Sequence, residues 1–218
     1  KLITGFFMAW GNFLALPCPY KKWDSSLNNV MLAFLPSIGL IIGTLWMLLY
    51  LLLVKLGSPL ILGSFIMMFY VFAICGFMHL DGFMDCNDAI LSRRSLEERQ
   101  RILKDSNIGA FAVVTLAFLL IGFFSAMMSA IVNLEIWNLM IIPILSRGCA
   151  GFSVLTFKPI GHSQYAFDYG VAGRGKYRWV VVLQMIIFTG VAAVLSQNYL
   201  EILICAAIVV AVSFATSI

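Results

Sequence analysis

The sequence predicts an all-α protein, a bundle of transmembrane helices, and three observations carry that prediction. Hydrophobic residues make up 62% of the 218 residues and charged ones only 11%, against about half and about a quarter in a soluble domain. The mean hydropathy is +1.00. The charges are gathered into a few segments that separate long apolar runs. This composition excludes a soluble enzyme. With 14% aromatic residues and cysteines that show no CxxC spacing, it also excludes a disordered chain and a disulfide scaffold.

The elements follow in chain order. Leu2 to Leu16 is apolar but ends in Pro17-Cys18-Pro19. It is too short for a bilayer core that needs about 20 residues, so an interfacial or re-entrant helix is expected there. Six longer runs are expected to span: Val30 to Val54, Ser58 to Leu80, Ile108 to Val132, Ile136 to Phe157, Trp179 to Leu195 and Leu200 to Ile218. Breakers fall between them, at Gly57-Ser58-Pro59, at Asn133 with Glu135, at Lys158-Pro159 and at Ser196-Gln197-Asn198. Six spans put three basic segments on one face, and these hold twelve of the fourteen Lys and Arg residues. Because such residues accumulate in cytoplasmic loops, both ends and the two long polar loops are expected in the cytoplasm. One integral membrane domain over residues 1–218 is expected.

Six of the ten acidic residues lie between Asp81 and Asp105, directly after the second run. In His79-Leu80-Asp81-Gly82-Phe83-Met84-Asp85-Cys86-Asn87-Asp88, about 100° of rotation per residue brings positions 81, 85 and 88 within about 60° of one another. Three like charges on one helical face, with no base among them, repel unless a cation or protons compensate. An all-oxygen donor set suits Mg²⁺ or Mn²⁺, which keeps places for phosphate oxygens. A second element, Lys104-Asp105-Ser106-Asn107-Ile108-Gly109, precedes the third run, and a turn back would let Asp105 face Asp81, Asp85 and Asp88. A metal held this way, with Lys104, Arg94 or Arg147 as added cations, is what a diphosphate-linked substrate requires. Arg147 falls inside an apolar run, where a guanidinium is costly and normally faces a polar cavity, although snorkelling to an interface is the alternative. The segment from Arg93 to Arg101 reads more simply, as a solvated helix with i,i+4 pairs such as Glu97 with Arg101.

The loop from Lys158 to Arg178 is rich in glycine and carries His162, Gln164, Tyr165, Asp168 and Tyr169. It suits a nucleotide or corrinoid contact surface and equally a basic connector. His79 reads as an interfacial residue or as a partner of Asp81. The chain has no GxxxxGK[ST] and no GxGxxG motif, and no nucleic-acid polymer is expected as a partner.

His79-Leu80-Asp81-Gly82-x-x-Asp85-x-x-Asp88-Ala89, Arg94 and Lys104-Asp105-Ser106-x-Ile108-Gly109-Ala110-Phe111 together resemble the signature of the cobalamin synthase (adenosylcobinamide-GDP ribazoletransferase) family. Weaker likeness extends to Asn12-Phe13-Leu14, Leu16-Pro17-Cys18-Pro19 and Phe34-Leu35-Pro36-x-x-Gly39-x-x-x-Gly43. The resemblance implies a metal-dependent membrane transferase that joins adenosylcobinamide-GDP to α-ribazole or its 5′-phosphate and releases GMP, in a bacterial inner or archaeal plasma membrane. It implies Mg²⁺, with Mn²⁺ as the alternative, on Asp81, Asp85, Asp88 and Asp105, and catalytic roles for these four with Lys104. Substrate contacts fall to His79, Arg94, Ser106, Arg147 and Tyr165. A homo-oligomer is compatible with it. The chain departs from the family pattern at Gln164-Tyr165-Ala166-Phe167, where Arg is expected in place of Phe167, and reaches Ile218 without a Gly-Gly-x-Thr-Gly-Asp-like element. With Lys1 as its first residue, it is expected to be trimmed at both ends.

Other classes use similar parts. A CDP-alcohol phosphotransferase should read Asp-Gly-x-x-Ala-Arg, where this chain has Asp85-Cys86. An aromatic prenyltransferase should carry two alike Asp-rich repeats. A cation transporter should hold its carboxylates near the bilayer midplane, whereas these follow the end of a run.

Overall fold

Helices form where the apolar runs lie, in a computed structural model that describes residues 1–105, 107–157 and 174–216. Among the described residues there are ten α-helices and no strand. They are α1 Leu2–Phe13, α2 Asn28–Ala33, α3 Leu35–Lys55, α4 Leu60–Ala73, α5 Met78–Leu91, α6 Leu96–Ile102, α7 Ala110–Ala130, α8 Ile136–Thr156, α9 Arg174–Leu195 and α10 Tyr199–Ala215. Among the described residues four stretches are long and apolar enough to cross a membrane: Leu35–Lys55, Ala110–Asn133, Ile136–Thr156 and Gly175–Leu195. The α4–α5 pair makes a fifth when taken as one bent span. The last predicted run becomes a helix of 17 residues, somewhat under the usual spanning length. The fold is therefore an all-helical membrane bundle, with fewer full-length spans than the six apolar runs suggest.

The chain divides into two compact units, Lys1–Leu52 with Leu134–Ile218, and Leu53–Asn133. In the first, α8 packs against α9 and α10, and α1 packs against α2. The core gathers Ile141, Ile144 and Leu145 of α8 with Ala192 of α9 and Ile202 of α10, all of them buried. α3 meets α8 backbone to backbone. A Cβ placed on Gly39 would stand 2.6 Å from Ile144 Cα, and one on Gly43 would stand 2.6 Å from Met140 Cα. Between α2 and α3 the helix breaks at Phe34, just ahead of Pro36, which has no N–H to continue the ladder. Gln184 of α9 closes that break. Its Nε2 donates to Ala33 O at 2.7 Å, and its Oε1 accepts from Ser37 Oγ at 2.7 Å.

In the second unit, α7 packs against both α4 and α5, with Phe72 and Phe123 edge to face at 5.7 Å. The predicted run from Ser58 to Leu80 ends early, because α4 stops at Ala73 and α5 leaves at 82° to it. The corner is a Schellman turn: Phe77 N–H donates to Phe72 O, Gly76 N–H donates to Ala73 O, and Gly76 takes φ +64°. Phe77 is also left-handed, at φ 60°, a conformation that is uncommon for a bulky residue. The turn takes α5, with its three aspartates, out of line with the apolar α4.

Candidate active site on the carboxylate helix

The site begins with the direction of α5. Asp81, Asp85 and Asp88 lie along α5 after its turn away from α4, with Asp81 exposed and Asp85 and Asp88 half-buried. Burial pushes the Asp85 carboxyl above its ordinary value, and the neighbouring Asp81 and Asp88 charges push it further. Asp85 thus senses both neighbours, as the spacing predicts. They do not converge on one point, however. Among the described residues no three His, Cys, Asp or Glu side chains come close enough to share a metal ion.

Asp88 has found other partners. Its Oδ2 accepts from Gly109 N–H at 2.7 Å and its Oδ1 from Ala112 N–H at 2.9 Å, at the start of α7. Asp105 is likewise engaged, since its Oδ1 accepts from Asn107 N–H at 3.1 Å and from Asn107 Nδ2 at 2.7 Å. Neither Asp81 nor Asp85 has a side-chain hydrogen bond among the described residues. Next to Asp88 lies a cleft of about 420 Å³ walled by Ser92, Arg94, Arg101, Asp105 and Asn107, with Gly109 to Phe111 at the α7 end. The structure therefore brings Asp88, Arg94 and Asp105 to one cleft, while Asp81 and Asp85 stand on the same helix outside its walls.

The remaining predicted residues are spread more widely. Lys104 is exposed in the turn after α6, and His79 is exposed in the first turn of α5. Arg147 is half-buried in the middle of α8, in the other unit. Ser106 and Tyr165, with the rest of the loop from 158 to 173, lie outside the described residues. Among the described residues the ion pair formed here joins Arg94, just ahead of α6, to Glu98 at 3.4 Å, rather than Glu97 to Arg101. It is solvent-exposed and holds Arg94 only weakly.

Arg101 lines the cleft although its sequence context reads as a solvated face. Gly109 is the other residue that sequence reasoning undervalues. A Cβ there would stand 2.5 Å from Asp88 Oδ1. The available signal is a glycine where a long helix starts, a place usually given to Ser, Thr, Asp or Asn. A larger cavity of about 590 Å³ between α8, α9 and α10 is lined by groups such as Leu145, Met185 and Val210 and has no carboxylate or base in its walls.

The sequence profile of the family described as cobalamin-5-phosphate synthase matches residues 5–218. The chain belongs to the cobalamin-5-phosphate synthase family. This family member is 36% identical over 196 residues to a protein of Clostridium perfringens (strain 13 / Type A) named adenosylcobinamide-GDP ribazoletransferase, covering 88% of this chain and 78% of that protein. A Clostridium botulinum (strain Eklund 17B / Type B) protein of the same name is 37% identical over 186 residues, covering 85% and 74%. One from Halalkalibacterium halodurans is 35% identical over 150 residues, covering 66% and 57%. No solved structure matches the chain.

Proposed function

We propose that the chain is an adenosylcobinamide-GDP ribazoletransferase that works at the α5 carboxylate face, joining adenosylcobinamide-GDP to α-ribazole or its 5′-phosphate and releasing GMP. The observation that carries this reading is the family match over residues 5–218, which includes the carboxylate helix. In the reaction a ribazole hydroxyl attacks the phosphorus next to the cobinamide, and the P–O bond to GMP breaks.

The donor set fits a divalent cation. Asp81 and Asp85 stand one helical turn apart, accept no hydrogen bond among the described residues, and repel each other enough to help raise the Asp85 carboxyl. Mg²⁺ needs no protein cage; one or two carboxylates with water and substrate phosphate complete its shell. Mg²⁺ or Mn²⁺ on Asp81 and Asp85 would neutralise the diphosphate. Asp85 is proposed also to accept the proton of the attacking hydroxyl, as a carboxylate general base. Arg94, Arg101 and Lys104 supply positive charge to the phosphate oxygens and to departing GMP.

The active site is assigned to the cytoplasmic side, because the α5–α6 segment and its connection to α7 carry Arg93, Arg94, Arg99, Arg101 and Lys104. The test uses membranes holding the full-length protein, supplied with adenosylcobinamide-GDP, α-ribazole 5′-phosphate and Mg²⁺. GMP release that needs all three supports the reading. Ion uptake into vesicles without GMP release would favour a transporter.

A further inference from the structure

We infer that Asp88 is a positioning residue, one carboxylate that caps α7 from another helix and so holds the 107–111 segment in place along the cleft. The inference rests on the transferase reading for its consequence in activity, and on geometry for its substance.

α7 has 21 residues and needs partners for the N–H groups of its first turn. Its N-cap is Gly109, which has no side chain to offer, and Ala110, Phe111 and Ala112 cannot cap either. A capping box answers this need with two side chains: the N-cap residue accepts from the third N–H of the helix, and a Glu or Gln at that third position reaches back to the N-cap N–H. Here Asp88 does both. Its Oδ1 takes the N–H of Ala112, the third helical residue, at 2.9 Å, and its Oδ2 takes the N–H of Gly109, the N-cap, at 2.7 Å. Its charge also sits at the positive end of the helix dipole.

Gly109 is the counterpart of this arrangement. A Cβ on it would stand 2.5 Å from Oδ1, 2.6 Å from Cγ and 2.6 Å from Oδ2 of Asp88. The whole carboxylate therefore lies in the space that any other residue would fill. The spacing from Asp88 to Gly109 thus records a contact between two helices. Asn107, Ile108 and Phe111, which wall the cleft, keep their places because the turn before α7 is pinned to α5. Asp81 and Asp85 have no such engagement, which separates their role from that of Asp88.

The experiment compares wild-type full-length protein in nanodiscs with Asp88→Ala, Asp88→Asn, Gly109→Ala and the Asp88→Ala/Gly109→Ala pair. Two readouts are taken: amide hydrogen exchange at residues 109–113, and the Mg²⁺ concentration that gives half-maximal GMP release. Asp88→Ala is expected to speed exchange there about fivefold, the factor that loss of a helix cap of ordinary size corresponds to, and to lower kcat/KM with half-saturating Mg²⁺ unchanged. Gly109→Ala, which removes no oxygen donor, should do the same. Combined with Asp88→Ala it should add little, since the carboxylate it collides with is gone. Asp88→Asn keeps the shape and one acceptor and should fall between, which maintains the test if Asp88→Ala does not fold. A tenfold rise in half-saturating Mg²⁺ with unchanged exchange at 109–113, or fully additive effects of the pair, would overturn the inference. The exchange readout needs no turnover, so failure of the transferase reading shows as absent GMP release in wild type while the capping result stands or falls by itself.

Discussion

Gly39 of α3 lies directly on the backbone of Ile144 in α8, so close that a Cβ at position 39 would stand 2.6 Å from the Ile144 Cα and 2.5 Å from the Pro143 carbonyl oxygen. Gly43 repeats the contact one turn later against Met140. Between apolar helices in lipid there is little hydrophobic drive to associate. Close backbone approach through small residues supplies the attraction instead.

Gly39→Ala is therefore expected to destabilise the first unit by about 1–3 kcal/mol, the usual cost of overpacking a filled interface. Thermal unfolding of the detergent-solubilised protein measures it. Gly82→Ala, where a Cβ would meet nothing within 4 Å, is the comparison for fold stability and should hold the midpoint or raise it slightly, because Ala is favoured over Gly inside a helix. Equal midpoints for wild type and Gly39→Ala would contradict the packing described for α3 and α8.

Gln184 makes a second kind of link, reaching from α9 to the Ala33 carbonyl and the Ser37 hydroxyl at the α2–α3 break. Gln184→Leu leaves both without that partner. The expected loss is roughly 1–2 kcal/mol, in the range of interhelical polar contacts within membranes, read as a lower unfolding midpoint with the helix content of the folded state retained. An unchanged midpoint would mean that the two groups find other partners without cost.

Asp85 should set a pH dependence. Burial first, then the Asp81 and Asp88 charges, favour its neutral form in the folded chain. The ionised, reactive form is gained only as pH rises past a value above that of an ordinary aspartate. The acidic limb of the pH–rate profile is accordingly expected at a higher pH than an unperturbed aspartate would give. Raising Mg²⁺ should move it to lower pH, because a cation stabilises the ionised form. Profiles at two Mg²⁺ concentrations test this, and a limb that does not move would remove Asp85 from contact with the ion.

The sequence and the structure agree where one physical effect dominates. Apolar length decides α3, α7, α8 and α9, and helical rotation decides that Asp81, Asp85 and Asp88 share a face. Disagreement arises where a distant partner decides. The second apolar run looks continuous to Leu80, but Gly76 and Phe77 turn the chain at a corner that hydropathy does not register. Asp88 looks equivalent to Asp81 and Asp85 because its N–H partners stand 21 and 24 residues further along the chain. The Gly39-x-x-x-Gly43 spacing is legible as a helix-packing motif, yet nothing in it says that α8 is the partner. Ser106 and Tyr165 lie outside the described residues, so their expected substrate contacts remain with the sequence.

The central claim is that Asp85, on the helix that turns away from α4, serves the transfer reaction directly. The most direct measurement is GMP release by membranes carrying Asp85→Asn, beside Glu97→Gln as a surface-charge control on α6. The account predicts a fall of at least about a hundredfold for Asp85→Asn, with the same amount of protein inserted in the membrane, and wild-type rates for Glu97→Gln. Near wild-type release by Asp85→Asn would contradict it.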